Sequence, residues 1–216
     1  MVSTARATWK QVPPTRRLGG GDVLSFRGGG DGARRRLPEG TVVMIGAWTA
    51  LVPTLMLFLS LISAYIVRRG LGGGDWVPVP LPDILWVNTA MLLVSSAILE
   101  RARRGVRAGR SMRGWILVAA AIGTMFLVGQ IVAWRQLLDA GIGVGDTPYG
   151  SFFYVLSAIH AVHLVLGITG LIAASVWPVT GWIDVSRESM VRAASVIWHF
   201  LGILWLGLFL LMILWR

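Results

Sequence analysis

Cysteine is absent from the 216 residues, which removes disulfides, thiolate metal sites and iron–sulfur clusters from consideration together and leaves the redox compartment unspecified. Acidic residues are scarce: ten in all, at positions 22, 31, 39, 75, 83, 100, 139, 146, 184 and 188. They fall in the first 40 residues, in loops or at the edges of apolar runs, so no carboxylate stands at the centre of a run. Proton and cation pathways through a bilayer use intramembrane Asp or Glu, so an autonomous pump, channel or small-molecule transporter is disfavoured. Walker, dinucleotide-binding and hydrolase-elbow motifs are missing, and no internal repeat of the transporter kind is evident. Histidine occurs three times, at positions 160, 163 and 199.

What is present is apolar. Hydrophobic residues make up 55% and charged residues 14%, far from the balance of a domain with a solvated surface. Five runs, about 41–67, 81–99, 114–134, 152–177 and 193–215, are long enough to cross a hydrocarbon core that takes roughly 20 helical residues. Lipid offers no hydrogen bonds, so each run satisfies its backbone as a helix. The expected fold class is an all-α integral membrane protein, a bundle of five transmembrane helices.

Residues 1–40 are of another kind, with Gly19-Gly20-Gly21, Gly28-Gly29-Gly30, Arg34-Arg35-Arg36 and scattered prolines. They read as a disordered basic cytoplasmic tail, and the first span as a retained anchor rather than a cleaved leader. The net charge of +10 sorts by side: 16 of the 20 basic residues lie in the tail, in the second loop (residues 101–113) and in the fourth loop. The positive-inside rule then places the N-terminus in the cytoplasm and the C-terminus in the periplasm. The charge is a topology signal with some attraction to anionic headgroups, not a nucleic-acid footprint.

Along the spans, Pro53 deprives the first helix of a donor, and Thr54 is placed to cap a carbonyl so released. Trp76, in a Gly- and Pro-rich outer loop, suits an interfacial aromatic belt. Asn88, Ser95 and Ser96 in the second span suit hydrogen bonds across helices, and Gln130 is a polar group inside the third. Ala119 with Gly123, and Gly129 with Ala133, have small-xxx-small spacing that favours close helix contact. In the fourth span Ser157, His160, His163, Gly167, Gly170 and Ala174 share an arc of about 140° at 100° per residue. Such a stripe of small and polar residues is what one helix shows to another. The fifth span carries Trp198 and His199, with Gly202 one turn on. The histidines leave two uses open: hydrogen-bonded packing at a helix seam or a lipid headgroup, or ligation of haem or metal should His160 or His163 face His199.

In order along the chain, "SAYIVRRG" (63–70), "LWVNTAMLLVSSA" (85–97), "GTMFLVGQIVAWRQL" (123–137), "SFFYVLSAIHAVHLVLGITGL" (151–171) and "IWHFLGILWLGLFLL" (197–211) resemble the third subunit of haem-copper terminal oxidases, the cytochrome c oxidase subunit III family, over nearly all of 41–216. The chain looks like a short form lacking the first two of the family's seven helices, so the lipid-holding cleft they form is altered or missing. Thr54 stands where the family often has an acidic residue, and Gly202 where an Asp often follows the Trp-His-Phe pattern. The resemblance implies an auxiliary subunit of a bacterial aerobic oxidase in the inner membrane, with no catalytic, cofactor or metal residues of its own. Haem and copper would lie in the partner subunit I, with subunit II and other oxidase or supercomplex subunits alongside, and phospholipid bound. It further implies stabilisation of the catalytic subunit and support of proton uptake and oxygen access. Asn88, Gln130, Ser157, His160, His163, Gly167, Gly170, Trp198 and His199 are then the candidates for helix-seam or lipid contact. A quinol oxidase or nitric oxide reductase accessory subunit, and a free-standing membrane haem or metal protein, are the alternatives.

Overall fold

The computed structural model describes residues 39–71, 74–77, 79–176 and 186–215; the basic tail before them lies outside this set, as does residue 177 at the end of the fourth expected span. Five helices account for nearly all the described residues: α1 (Glu39–Gly70), α2 (Ile84–Arg107), α3 (Arg113–Asp139), α4 (Pro148–Val176) and α5 (Arg187–Leu214). All five are long and apolar enough to cross a membrane.

Every helix runs further than the hydrophobic run that announced it at one end at least, and three of these extensions have a local cause. α2 continues eight residues beyond the expected end through Glu100–Arg107, where Arg103 and Arg104 donate to the Glu100 carboxylate from the i+3 and i+4 positions, pairs that suit a helix surface. α5 starts six residues early because Ser186 caps it, its hydroxyl accepting from the Ser189 backbone N–H at 3.3 Å. α4 starts at Pro148 behind Thr147, whose hydroxyl accepts from Gly150 N–H at 3.0 Å; proline in the first turn loses no bond.

Two glycines close helices in the left-handed conformation. At Gly109 (φ 72°), Gly109 N–H bonds Val106 O and Arg110 N–H bonds Gly105 O. Gly141 (φ 77°) repeats the arrangement with Leu138 and Leu137 as acceptors for Gly141 and Ile142. Both are Schellman closures, which favour a residue without Cβ at that position.

α5 packs against α1, α2 and α4, while α3 packs against α2 and α4. The last four helices thus form a ring, α2–α3–α4–α5, and α1 lies outside it against α5 and, more lightly, α4. α1 and α5 run in the same direction: Gly40 approaches Ser189 at one end, and at the other the Tyr65 hydroxyl donates to Trp215 O at 2.8 Å. α1 leaves Trp48, Met56 and Leu59 exposed along its outer side, a face suited to lipid tails or another apolar helix.

Candidate functional site

The ring is tied together by indoles. Trp198 Nε1 on α5 donates to Ser95 Oγ on α2 at 3.1 Å, and Ser95 Oγ donates in turn to the Ala119 carbonyl on α3 at 2.9 Å. One turn and more along the same pair of helices, Trp205 Nε1 donates to Thr89 Oγ1 at 3.0 Å, and Thr89 donates to Leu85 O. Trp134 Nε1 on α3 donates to Ser157 Oγ on α4 at 2.9 Å, and Ser157 donates to Phe153 O at 2.6 Å. Each hydroxyl accepts from an indole and donates to a carbonyl, so both of its roles are filled where no water competes. Two tyrosines close the far end of the bundle: Tyr149 donates to Met212 O at 2.9 Å and Tyr154 to Ile142 O at 2.8 Å.

Small residues let these ties form. A β-carbon on Gly123 would fall 2.4 Å from Trp198 Cη2. One on Gly167 would fall 2.9 Å from Leu201 Cδ1 and 3.3 Å from Trp198 Cε3. The indole of Trp198, 1% exposed, therefore lies between a glycine of α3 and a glycine of α4. At Gly129 a β-carbon would come within 2.1 Å of Asn88 Oδ1, so the buried amide of Asn88 occupies the space that this glycine leaves. Gly170 is different. It is exposed, with nothing within 4 Å of a β-carbon; although it shares the arc of the stripe on α4, it sits at the edge that turns away from the bundle. Ala174 is buried, as are Ala119 and Ala133.

The three histidines meet different surroundings. His160 is fully buried in an aromatic enclosure, its ring centroid 6.4 Å from Phe58 on α1, 5.9 Å from Phe126 on α3 and 5.1 Å from Trp205 on α5. Among the described residues neither of its ring nitrogens has a hydrogen-bond partner. His163, half-buried, meets Phe58 at 5.5 Å, and its Nδ1–H donates to the Ile159 carbonyl one turn back at 2.8 Å. His199 lies at the other side of the ring, its Nε2 3.8 Å from Glu100 Oε2. Among the described residues no three His, Asp or Glu side chains converge as a metal-ligating group. Gln130, 1% exposed, likewise has no side-chain partner among the described residues.

Glu100 was legible only as an acid at a span edge. It is held by Arg103 through both of its oxygens, at 2.7 and 2.8 Å, and by Arg104 at 2.9 Å. Together with His199 and Ser96 it borders a groove of about 340 Å³ between α2 and α5. Thr54 departs from its expected role: its hydroxyl bonds Ala50 O at 2.9 Å, one position past the Thr49 carbonyl that Pro53 deprives of its usual donor. Trp76 also departs, folding inward onto Tyr65 at 5.2 Å and Tyr149 at 5.9 Å instead of standing out in a belt. Trp134, Trp205, Thr89 and the three tyrosines were not singled out by sequence. Their signal, an indole inside an apolar run opposite a Ser or Thr elsewhere, or a phenol opposite a carbonyl left free at a helix end or in a loop, has meaning only once the facing segment is known.

Five apolar spans, four of them tied in pairs through buried indole–hydroxyl bonds, define a multi-pass membrane protein. Residues 41–216 match the profile of the family described as cytochrome c oxidase subunit III, and the chain belongs to that family. It is 28% identical over 173 residues to the probable cytochrome c oxidase subunit 3 of Mycobacterium bovis, covering 78% of this chain and 85% of that protein. Against cytochrome c oxidase subunit 3 of Thermostichus vulcanus the identity is 29% over 176 residues, with 78% and 85% covered. Against that of Synechocystis sp. it is 30% over 179 residues, with 79% and 75% covered. Membership makes the chain a component of an oxidoreductase complex in a bacterial membrane, in company with other oxidase subunits.

Proposed function

We propose that this chain is the auxiliary, non-redox core subunit of a bacterial haem-copper terminal oxidase, bound directly to the catalytic subunit I with subunit II in the same complex. The complex reduces oxygen to water and moves protons, and its haem and copper belong to the partner. This chain stabilises that partner, supports proton uptake and oxygen access nearby, and holds phospholipid. Its N-terminus faces the cytoplasm and its C-terminus the periplasm.

The family match across 41–216 is the observation that carries the proposal. The interior supports it: Asn88, Gln130, Ser157, His160, Gly167 and Trp198 are buried in the packed ring, where they serve as seam residues, and His163 satisfies one ring nitrogen on its own helix. His199 is a groove residue paired with Glu100, and Gly170 faces outward as a lipid contact. The named relatives favour cytochrome c as electron donor over quinol.

Purification of the tagged chain in a gentle detergent tests the proposal. A large haem-copper partner is expected to come with it, with the haem and copper content of that partner and activity with reduced cytochrome c in the same fractions. Isolation without such a partner overturns the proposal. Activity with quinol alone, or with nitric oxide as acceptor, moves the chain to another oxidase or reductase of the same broad class. A chromophore or metal on the isolated chain that is lost in His199→Ala would establish the free-standing haem or metal protein instead.

A further inference from the structure

The end of α2, the turn after it and the start of α3 carry arginines at 101, 103, 104, 107, 110 and 113. Arg103 and Arg104 are held by Glu100, and Arg107 lies 3.6 Å from Glu188 at the start of α5. Among the described residues no acid pairs with Arg101, Arg110 or Arg113. Arg101 and Arg110 border a cavity of about 660 Å³ together with Arg104, Met112 and Trp115. Its one carboxylate is the engaged Glu100, so the wall is net positive. The guanidinium of Arg101 lies over the Trp115 ring at 5.8 Å.

The positive-inside rule asks only that basic residues occupy this connection. It does not ask that they be fixed, and here they are. Gly109 closes α2 in the left-handed conformation, and Arg110 N–H bonds Gly105 O at 3.0 Å. Met112 then folds onto Gly105, where a β-carbon would lie 2.5 Å from its Cγ. The apolar run of α2 ends near residue 99, and Glu100–Arg107 carries the helix about 12 Å further. Arg110, at the level of Gly105, stands about 9 Å out, whereas the headgroup layer is about 5–8 Å deep on each side of a bilayer. The outer part of the cavity thus lies above the lipid phosphates. Guanidinium groups held in place over an apolar floor of Met112 and Trp115 suit carboxylates, which each planar fork can grip through two bonds.

We propose that this α2–α3 hairpin is the docking point for an acidic segment of a neighbouring oxidase subunit on the same side of the membrane, its Asp or Glu side chains seated between Arg101 and Arg110. The inference rests on the reading of the chain as an oxidase subunit and adds to it a surface and the chemistry of what that surface holds.

Photo-cross-linking in the complete oxidase tests it. Ala108, exposed on the wall of the cavity, is replaced by benzoylphenylalanine, the tagged complex is illuminated in its native membrane, and the cross-linked peptide is identified by mass spectrometry. A peptide from another subunit in which acids outnumber bases is expected. Arg101→Gln with Arg110→Gln should lower the yield several-fold, because charges at a contact rim steer and hold the partner, and Arg101→Lys with Arg110→Lys should restore most of it. Arg69→Gln with Arg135→Gln, the same charge change at the opposite end of the bundle, should leave the yield unchanged. A cross-link to lipid alone, to residues 177–185 of this chain, or to a neutral or basic segment overturns the proposal, as does a yield indifferent to Arg101 and Arg110. Should the glutamine variant fail to assemble, the identity of the peptide reached with the arginines intact decides. A haem-copper complex that forms without the acidic contact removes this inference alone, whereas isolation with no haem-copper partner removes the proposed function as well.

Discussion

Trp198 of α5 occupies the space in which a β-carbon of Gly123 on α3 would lie, with Cη2 2.4 Å from that position, while its Nε1 reaches Ser95 on α2 at 3.1 Å. One side chain thus fixes the spacing of two helix pairs. Three testable consequences concern this seam and its neighbours, and a fourth concerns a turn.

Gly123→Ala forces the indole off its place, and the bond to Ser95 stretches with it. Overpacking of this kind costs about 1–3 kcal/mol. A lower thermal unfolding midpoint in detergent is expected, together with a changed near-ultraviolet tryptophan signal. Gly170→Ala, with nothing within 4 Å of its new carbon, is the matched control and should leave both unchanged.

Ser95→Ala removes the acceptor of Trp198 and the donor to Ala119 O in one step. Polar ties between membrane helices are worth about 0.6 kcal/mol on average and up to about 1.7, and a doubly used hydroxyl belongs near the upper figure. Thr169→Val loses only a bond to Val165 O on the exposed side of α4 and should cost less. Denaturant titration of the two variants in one detergent compares them directly.

His160→Leu replaces a ring with no hydrogen-bond partner among the described residues by an apolar side chain inside an aromatic enclosure. Exchanging an unpaired buried polar group for an apolar one is neutral or stabilising where the shape is tolerated. The expected outcome is an unfolding midpoint equal to or above that of the unaltered chain, with the haem and copper content of the assembled oxidase unchanged. Loss of a metal centre from assembled complexes would show that the imidazole is a ligand after all.

Gly109→Ala places a β-carbon on a residue with φ 72° in the Schellman closure of α2. The left-handed conformation costs an L-residue about 1 kcal/mol or more, so stability should fall by about that amount, and Gly109→Asn should fall less. Because this turn also shapes the basic cavity of α2 and α3, limited proteolysis near residue 109 is a second measurement of whether the turn has opened.

The five spans were legible because their lengths and apolarity satisfy a requirement of lipid that acts on each segment alone. The expected ends were short where hydropathy is a poor guide: Glu100–Arg107 is charged, yet it remains helical because its acid and its arginines pair along the helix surface. Helical periodicity placed Ser157, His160 and Gly167 correctly on one buried side of α4. The same arithmetic put Gly170 with them, because an angle gives a position on the cylinder and says nothing of how wide the covering neighbour is. Trp76 was misplaced for a related reason: an aromatic near the water boundary suits a belt, and only the nearness of Tyr65 and Tyr149 draws it inward.

By itself the sequence determined the class of the molecule and its family, because span length, the absence of buried acids and an ordered set of local motifs are properties of single segments. Which polar groups meet was decided by the tertiary structure. Trp198 bonds a serine 103 residues away, Trp205 a threonine 116 away, and Tyr65 a carbonyl 150 away. Such pairs depend on the rotation and axial register of whole helices against one another. Those are set by the packing of all five at once, and no local pattern encodes them.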